Sequence, residues 1–308
     1  MTAGDQSTVT RVLVLGGSGF VGRHAVAALL QRGTEVVVGS RSPDAIGSKL
    51  PGEAAECQRR QVHIEQLQDA HNWHEIIDDV DTVLNCVGIL RQRGSETYDK
   101  VHHCGPAALA GACAGRDKRL VHVSALGLHD SARSRFLTSK LAGEAALKKS
   151  SADWIIARPS LLDGVGGFGA RWLRGVAKLP FYFAPTNANG QIAALHVEDL
   201  GEALAQLATG HHGELRLDES REFDLGGEES FVFRDYIRVL RRRHSERSSL
   251  CIPVPAFAAR LFAHACDVVH FSPFSFGHWE LLARDNLPVP NRLPELLQRQ
   301  PRRIARHD

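Results

Sequence analysis

Apolar and polar positions along the chain fall into blocks that predict an α/β fold. Arg11-Val12-Leu13-Val14-Leu15 is a short, almost continuous apolar run, which suits a parallel strand covered on both faces. Ala25-Val26-Ala27-Ala28-Leu29-Leu30 follows as a helix, and Glu35 to Gly39 as a second strand. A weakly patterned third strand is expected within residues 53–64, ending at Val62-His63-Ile64, followed by a short helix from His71 to Asp78. Asp81 to Gly88 reads as a fourth strand running into a glycine turn. Tyr98 to Ala114 reads as a long helix with Val101, Ala108, Leu109 and Ala112 near helical spacing. Leu120 to Ser124 is the fifth strand, Phe136 to Lys149 a helix, and Trp154 to Ala157 a sixth strand stopped by Arg158-Pro159. Strands and helices alternating over short connections predict a doubly wound parallel sheet over residues 1–160.

Past residue 160 the alternation breaks down. Gly164, Gly166, Gly167 and Gly169 make a flexible loop before a helix from Ala170 to Leu179. Ile192 to Val197 and Glu222 to Leu225 are expected strands, and residues 198–209 and 234–243 helices. Residues 161–308 should form a smaller, mixed α/β lobe on the substrate side that returns strands to the sheet edge. From Ile252 to Phe276, residues Val254, Phe257, Ala258, Leu261, Phe262, Ala265, Val268 and Val269 outline an apolar helical face. Such a face either packs onto the substrate-side lobe or docks on a membrane surface or protein partner.

Composition adds limits. The chain has 308 residues, 43% hydrophobic and 23% charged, as expected of an ordinary globular protein. A formal net charge of +2 gives no global field favouring nucleic acid, despite Arg241-Arg242-Arg243 and Arg302-Arg303. The six cysteines form no CxxC pair or metal-ligand spacing, so a reduced, cytoplasmic protein without a metal is expected. His102-His103 and His211-His212 are adjacent pairs. Neighbours on a helix do not face one site, so these read as surface or cofactor-edge residues. Met1 to Thr10 is too polar for a signal peptide, and no apolar run reaches a membrane span.

The densest chemistry lies between the first strand and its helix. Gly16, Gly19 and Gly22 fall at GxxGxxG spacing, within Gly16-Gly17-Ser18-Gly19-Phe20-Val21-Gly22. Glycines let a pyrophosphate approach backbone N–H groups at a helix N-terminus, and the last allows close helix–strand packing. After the second strand come Ser40 and Arg41 with no acid. An acid there would bind the ribose 2′-OH of NAD(H), whereas a basic residue accommodates a 2′-phosphate, so NADP(H) is favoured over NAD(H).

These motifs together resemble the extended and atypical short-chain dehydrogenase/reductases. The glycine motif, Asn85-Cys86-Val87-Gly88, Ser124 and Lys140 stand in that family's order, and Ser139-Lys140-Leu141-Ala142-Gly143-Glu144 resembles its SKxxGE run. Arg158-Pro159-Ser160 and Leu195 to Leu200 resemble its RP and HVxD segments. Asp224 to Gly227 and Leu281 to Asn286 are similar to the branch containing the nucleotide-binding accessory subunit of mitochondrial respiratory complex I, some of whose members are linked to quinone metabolism. The resemblance implies a Rossmann fold. It implies cofactor contacts from the glycine turn, Ser40, Arg41, Asn85 to Gly88, Ser124, Lys140, Arg158 and Pro159. It places Ser124 and Lys140 at the reaction centre.

Two departures matter. Phe136 stands where the family has its catalytic tyrosine, so the phenol that moves a proton is missing. Gln66 stands near the position where relatives place an aspartate against the adenine. His129, in the loop between Ser124 and Phe136, and Tyr182 are candidate substitutes for the phenol; Cys86 reads as a buried small residue. The resemblance therefore implies an NADP(H)-holding structural, assembly or sensing protein. The alternatives are an active NADP(H)-dependent oxidoreductase or epimerase/dehydratase with a substitute proton relay, acting on a small, lipophilic substrate, and an RNA-binding relative. The near-neutral charge counts against RNA. The expected location is cytoplasmic, with a peripheral membrane position as the alternative.

Overall fold

A computed structural model describes residues 10–46, 52–210, 220–243, 245, 247–269 and 274–304. The pair His211-His212, the polar N-terminal segment up to Val9, and residues 270–273 of the apolar 252–276 segment lie outside the described residues.

The first half supplies β1 (Arg11–Leu15), α1 (Phe20–Gln31), β2 (Glu35–Ser40), β3 (Gln58–Gln61), α2 (His74–Ile77), β4 (Thr82–Asn85), α3 (Gly105–Cys113), β5 (Arg119–Val123), α4 (Arg135–Lys149) and β6 (Asp153–Pro159). The second half supplies β7 (Leu162–Asp163), α5 (Phe168–Lys178), β8 (Phe181–Pro185), β9 (Gln191–Ile192), β10 (Leu195–His196) and α6 (Val197–Thr209). It continues with β11 (Glu222–Leu225), β12 (Phe231–Val232), α7 (Phe233–Arg242), β13 (Leu250–Val254), α8 (Ala256–Val269), α9 (Phe276–Leu282) and α10 (Leu293–Leu297).

Seven strands form one parallel sheet in the order β11-β6-β5-β4-β1-β2-β3. Its central strands are covered on both faces. Val12 and Val14 join Val26, Leu29, Leu200 and Leu204 in the core under α1 and α6. Leu13 and Leu15 point the other way, to Trp73, Ile77, Leu109 and Leu147. A third core, around Leu173, Tyr182, Phe233, Tyr236 and Leu240, belongs to the second half.

Three elements differ from the sequence expectation. β3 lies at Gln58–Gln61, before Val62-His63-Ile64. As an edge strand it is held by backbone pairing to β2, so its polar side chains leave no apolar signature. The helix expected from Tyr98 to Ala114 contains a π-helical turn, Lys100–Cys104, where Gly105 N–H donates to the Lys100 carbonyl just before Pro106. Proline offers no N–H and crowds the carbonyl four residues back, which favours the wider turn. The expected strand from Ile192 to Val197 is two short strands, β9 and β10, after which Val197 opens α6.

Candidate cofactor site

Leu15, at the end of β1, is in register with Gly39 on β2 and Asn85 on β4. Here the strand order reverses, because β2 and β3 extend the sheet one way from β1 and β4 to β6 the other. A parallel sheet opens a crevice beyond its carboxyl ends at such a point. The Gly16–Gly19 turn occupies that crevice. Gly16 has φ +72°, in the left-handed region, and its amide donates to the Gly39 carbonyl at 2.9 Å. A Cβ on Gly22 would collide with the Gly16 carbonyl and lie 2.8 Å from Gly17 Cα. The turn and α1 therefore pack backbone to backbone. No side chain caps α1 at Gly19 and no acid lies in its first turn, so its leading N–H groups and partial positive charge remain available to an anion. The Gly164–Gly167 loop packs over Phe20 at this helix start.

The neighbouring rim comes from β2. Ser40 Oγ lies 3.3 Å from Ser18 Oγ, which joins the glycine turn to the end of β2. The Arg41 guanidinium is largely exposed and ion-paired with Glu96. Gln66 closes a short turn by donating its N–H to the His63 carbonyl.

On the other side, β4 delivers Asn85-Cys86-Val87-Gly88. A Cβ at Gly16 would meet Val87 Cγ2 at 3.3 Å, so this segment walls the glycine turn directly. Asn85 Oδ1 accepts from Val87 N–H at 3.0 Å, and Asn85 Nδ2 lies 3.1 Å from His122 Nδ1. Cys86 is half-buried rather than fully buried, and desolvation pushes its thiol up to about 12, which keeps it protonated. Ser124, one residue beyond β5, is buried, and its Oγ has no hydrogen-bond partner among the described residues.

α4 brings Phe136 and Lys140 to the same region. Both are 8% exposed, and the Lys140 ammonium lies 5.8 Å from the centre of the Phe136 ring, one helical turn away. Burial lowers the Lys140 pKa from 10.5 to about 8, with Glu144 opposing the shift. The Phe136 ring meets Tyr98 and His102 edge-on at 5.8 and 5.6 Å, and His278 of α9 stacks on it at 5.9 Å. His102 is fixed at both nitrogens: Nε2 accepts from Ile89 N–H at 3.1 Å and Nδ1 lies 3.1 Å from Ser139 Oγ. Desolvation, then the Lys140 charge, depresses His102 well below its ordinary value and His122 to about 3. The SKxxGE run now has a physical reading. Ser139 meets His102, and Gly143 lets the helix touch the His102 carbonyl, where a Cβ would collide. Glu144 takes the Arg158 guanidinium, Nε to Oε1 at 2.9 Å.

These groups fit a dinucleotide: a glycine turn that tolerates no Cβ, an uncapped helix start, a buried unpartnered hydroxyl and a buried ammonium. The family described as NAD(P)H-binding matches residues 16–171, from the first glycine of the turn to the start of α5. The chain belongs to the NAD(P)H-binding family. A ceramide reductase from Caulobacter vibrioides is 26% identical over 195 residues, covering 63% of this chain. The match spans only 59% of that relative's length. Subunit 9 of the NADH dehydrogenase [ubiquinone] 1 alpha subcomplex from Dictyostelium discoideum is 24% identical over 252 residues, covering 81% of this chain and 68% of the subunit. UDP-glucuronic acid 4-epimerase from Bacillus cereus, solved with UDP-glucuronic acid and NAD, shares the fold with a TM-score of 0.65 at 16% identity, covering 96% of each chain. These similarities agree with the short-chain dehydrogenase/reductase branch read from the motifs. They make this family member an NAD(P)-binding Rossmann protein with epimerase/dehydratase-like architecture.

Several expected residues sit elsewhere in this NAD(P)H-binding chain. The Arg158 guanidinium is held by Glu144, Glu222 and Asp224, so it ties β6 to α4 and β11 and is occupied by carboxylates. Pro159 is buried in register with Leu225 of β11. Tyr182 is buried in the second-half core, donates to the Arg234 carbonyl at 3.4 Å, and is pushed up to about 12 by burial; it is a packing residue rather than an acid. His129 Nδ1 lies 3.0 Å from Ser131 Oγ in its own loop. The adjacent pair His102-His103 splits, with His102 buried against Phe136 and His103 half-exposed beside Asp99 at 2.9 Å. Asp99, just before the π-helical turn, and His103 and Cys104 within it bring possible ligand atoms within 4.8 Å of one another, where they are already bonded among themselves. Tyr98 and His278 were not expected at the site, and His102, expected at the surface or the cofactor edge, is buried there. Their only signal was an aromatic or imidazole type, and tertiary packing alone brings them to Phe136.

Proposed function

We propose that this chain holds NADP(H) in the crevice beyond β1, β2 and β4 and serves as a cofactor-bound structural, assembly or sensing protein. The observation that supports this most is Phe136. Its ring fills the position from which a phenol would act, enclosed by Tyr98, His102 and His278, and a benzene ring carries no transferable proton. A bound nicotinamide supplies hydride chemistry. The chain's own residues then bind and orient it. The N–H groups at the start of α1 take the pyrophosphate. Ser40 and Arg41 take the 2′-phosphate, since an exposed pair such as Arg41–Glu96 is worth only about 0–1 kcal/mol and exchanges readily. Lys140 donates to the nicotinamide ribose, with Ser124 and the Cys86–Gly88 segment along the wall. The relative named as a subunit of NADH dehydrogenase [ubiquinone] supports a role in assembly with protein partners, linked to respiratory or quinone metabolism.

A second reading, an active reductase, is favoured by Lys140. An ammonium with a pKa of about 8 is a competent proton donor at neutral pH, and one relative is named a ceramide reductase, which supports a lipophilic substrate. The two readings separate in one assay. NADPH-loaded protein is mixed with a panel of short and long-chain ketones, and NADPH oxidation is followed. The cofactor-holding reading expects no oxidation above the protein-free rate. Turnover that disappears in Lys140→Met would establish the reductase instead.

A further inference from the structure

α8 is turned inside out relative to a core helix. Its buried positions are the small residues Ala259, Ala263 and Cys266, at i, i+4 and i+7. Its large apolar residues face outward, with Phe257 78%, Leu261 72% and Val268 78% exposed. A helix that packs only against its own fold puts the large side chains inside. The same inversion continues on the two-stranded sheet against which α8 packs. Leu250 of β13 is in register with Phe181 of β8, and both are exposed, as is Phe183 at 62%. Between α8 and α9 lies a groove of about 540 Å³ lined by Phe257, Arg260, Leu261, His264 and Trp279. Single exposed apolar residues are ordinary, but a clustered set of this size marks a contact surface.

Charge identifies what the surface meets. The segments Phe168 to Ala184 and Arg247 to Cys266, which build it, contain Arg171, Arg174, Lys178, Arg247 and Arg260 and no aspartate or glutamate. Arg174 is tied to buried Asp163, while Arg171, Lys178, Arg247 and Arg260 are exposed. Of the acids that flank these segments in sequence, Glu246 lies outside the described residues and Asp267 is paired with Arg91 at 2.5 Å. The Arg260 guanidinium lies over the rings of Phe276 and Trp279, at 5.5 and 5.9 Å, so its charge rides on an aromatic platform at the groove. Among the described residues no helix is long and apolar enough to cross a membrane. A second copy of this chain is a poor occupant, since a two-fold pairing would set cations against cations with no acid in either segment.

We infer that the face formed by α8, β8 and β13 docks on an anionic lipid bilayer, with Phe257, Leu261 and Phe183 entering the acyl boundary and Lys178, Arg247 and Arg260 meeting headgroup phosphates. Flotation of the full chain tests this, using phosphatidylcholine vesicles with and without phosphatidylglycerol at low and high salt. The wild type is expected to float with the anionic vesicles, less so at high salt, and much less with phosphatidylcholine alone. Phe257→Ser with Leu261→Ser should weaken partitioning about 100-fold or more, since two large apolar side chains lose their burial. Lys178→Glu with Arg260→Glu should weaken it at least about tenfold at low salt while keeping the apolar face. An unchanged melting temperature in both variants checks that these exposed positions leave the fold intact. Absence of flotation with anionic vesicles, or flotation unaffected by the serine pair, overturns the inference. So does a dimer by light scattering that the serine pair dissolves, which would assign the face to a second copy.

Discussion

Replacing Lys140 by methionine separates what binds a cofactor from what holds the fold. Burial depresses the Lys140 pKa from 10.5 to about 8, and at about 1.4 kcal/mol per pH unit the charged form costs about 3.5 kcal/mol relative to the unfolded chain. The nearby Phe136 ring offsets a fraction of this. Methionine keeps the length and apolar stem of the side chain, so Lys140→Met should raise the stability of the ligand-free protein by about 1–3 kcal/mol in urea denaturation at pH 7. The same change should weaken NADPH binding by about 1.5–3 kcal/mol, the value of a charge-assisted hydrogen bond, read by calorimetry. The pH dependence supplies the sign. A lysine with a folded pKa below its unfolded one makes the wild type gain stability as pH rises from about 8 to 10.5, and the variant should lack that rise. His122, whose pKa Lys140 helps to depress, should titrate higher in the variant by NMR. A variant that is less stable than wild type, with unchanged affinity for NADPH, would refute the reasoning and make Lys140 a structural residue.

Gly22→Ala should abolish measurable dinucleotide binding and lower stability by about 1–3 kcal/mol, because its Cβ meets backbone atoms of Gly16 and Gly17 that cannot yield separately; calorimetry and urea denaturation read the two effects. Arg41→Ala should reduce the preference for NADPH over NADH about tenfold and leave NADH affinity unchanged, and an unaltered ratio would remove Arg41 from the site. Stability should fall as pH drops from about 6.5 towards 4, at about 1.4 kcal/mol per unit for each histidine that stays neutral in the fold. His122 and His278, lowered by burial to about 3 and about 4, lead this loss, and urea midpoints between pH 7 and 4.5 would show it.

The doubly wound sheet and the glycine turn were legible because local chemistry and fold agree there. Val12 to Leu15 is covered on both faces and therefore apolar throughout, and Gly16 and Gly22 answer backbone demands that no other residue meets. β3 falls within the expected 53–64 window but ends before Val62, because Gln58–Gln61 contributes backbone hydrogen bonds rather than side-chain burial. The placement of Arg158 was obscured for another reason. An arginine after a central strand looks the same in sequence whether it meets a phosphate or three carboxylates, and Glu144, Glu222 and Asp224 come from distant parts of the chain. Phe136 and Lys140 could be aligned by their four-residue spacing, but the enclosure by Tyr98, His102 and His278 depends on α9 docking onto α4. The apolar period of 252–276 left two outcomes open because periodicity gives a stripe and not its direction. The position of Ala259, Ala263 and Cys266 inside decides that the large residues of α8 point out.

Native mass spectrometry of the purified, extensively dialysed protein tests the cofactor-holding claim most directly. A mass increment equal to a single NADP(H) per chain, lost in Gly22→Ala, is the expected result. A chain that carries no dinucleotide and takes up none from added NADPH would contradict it.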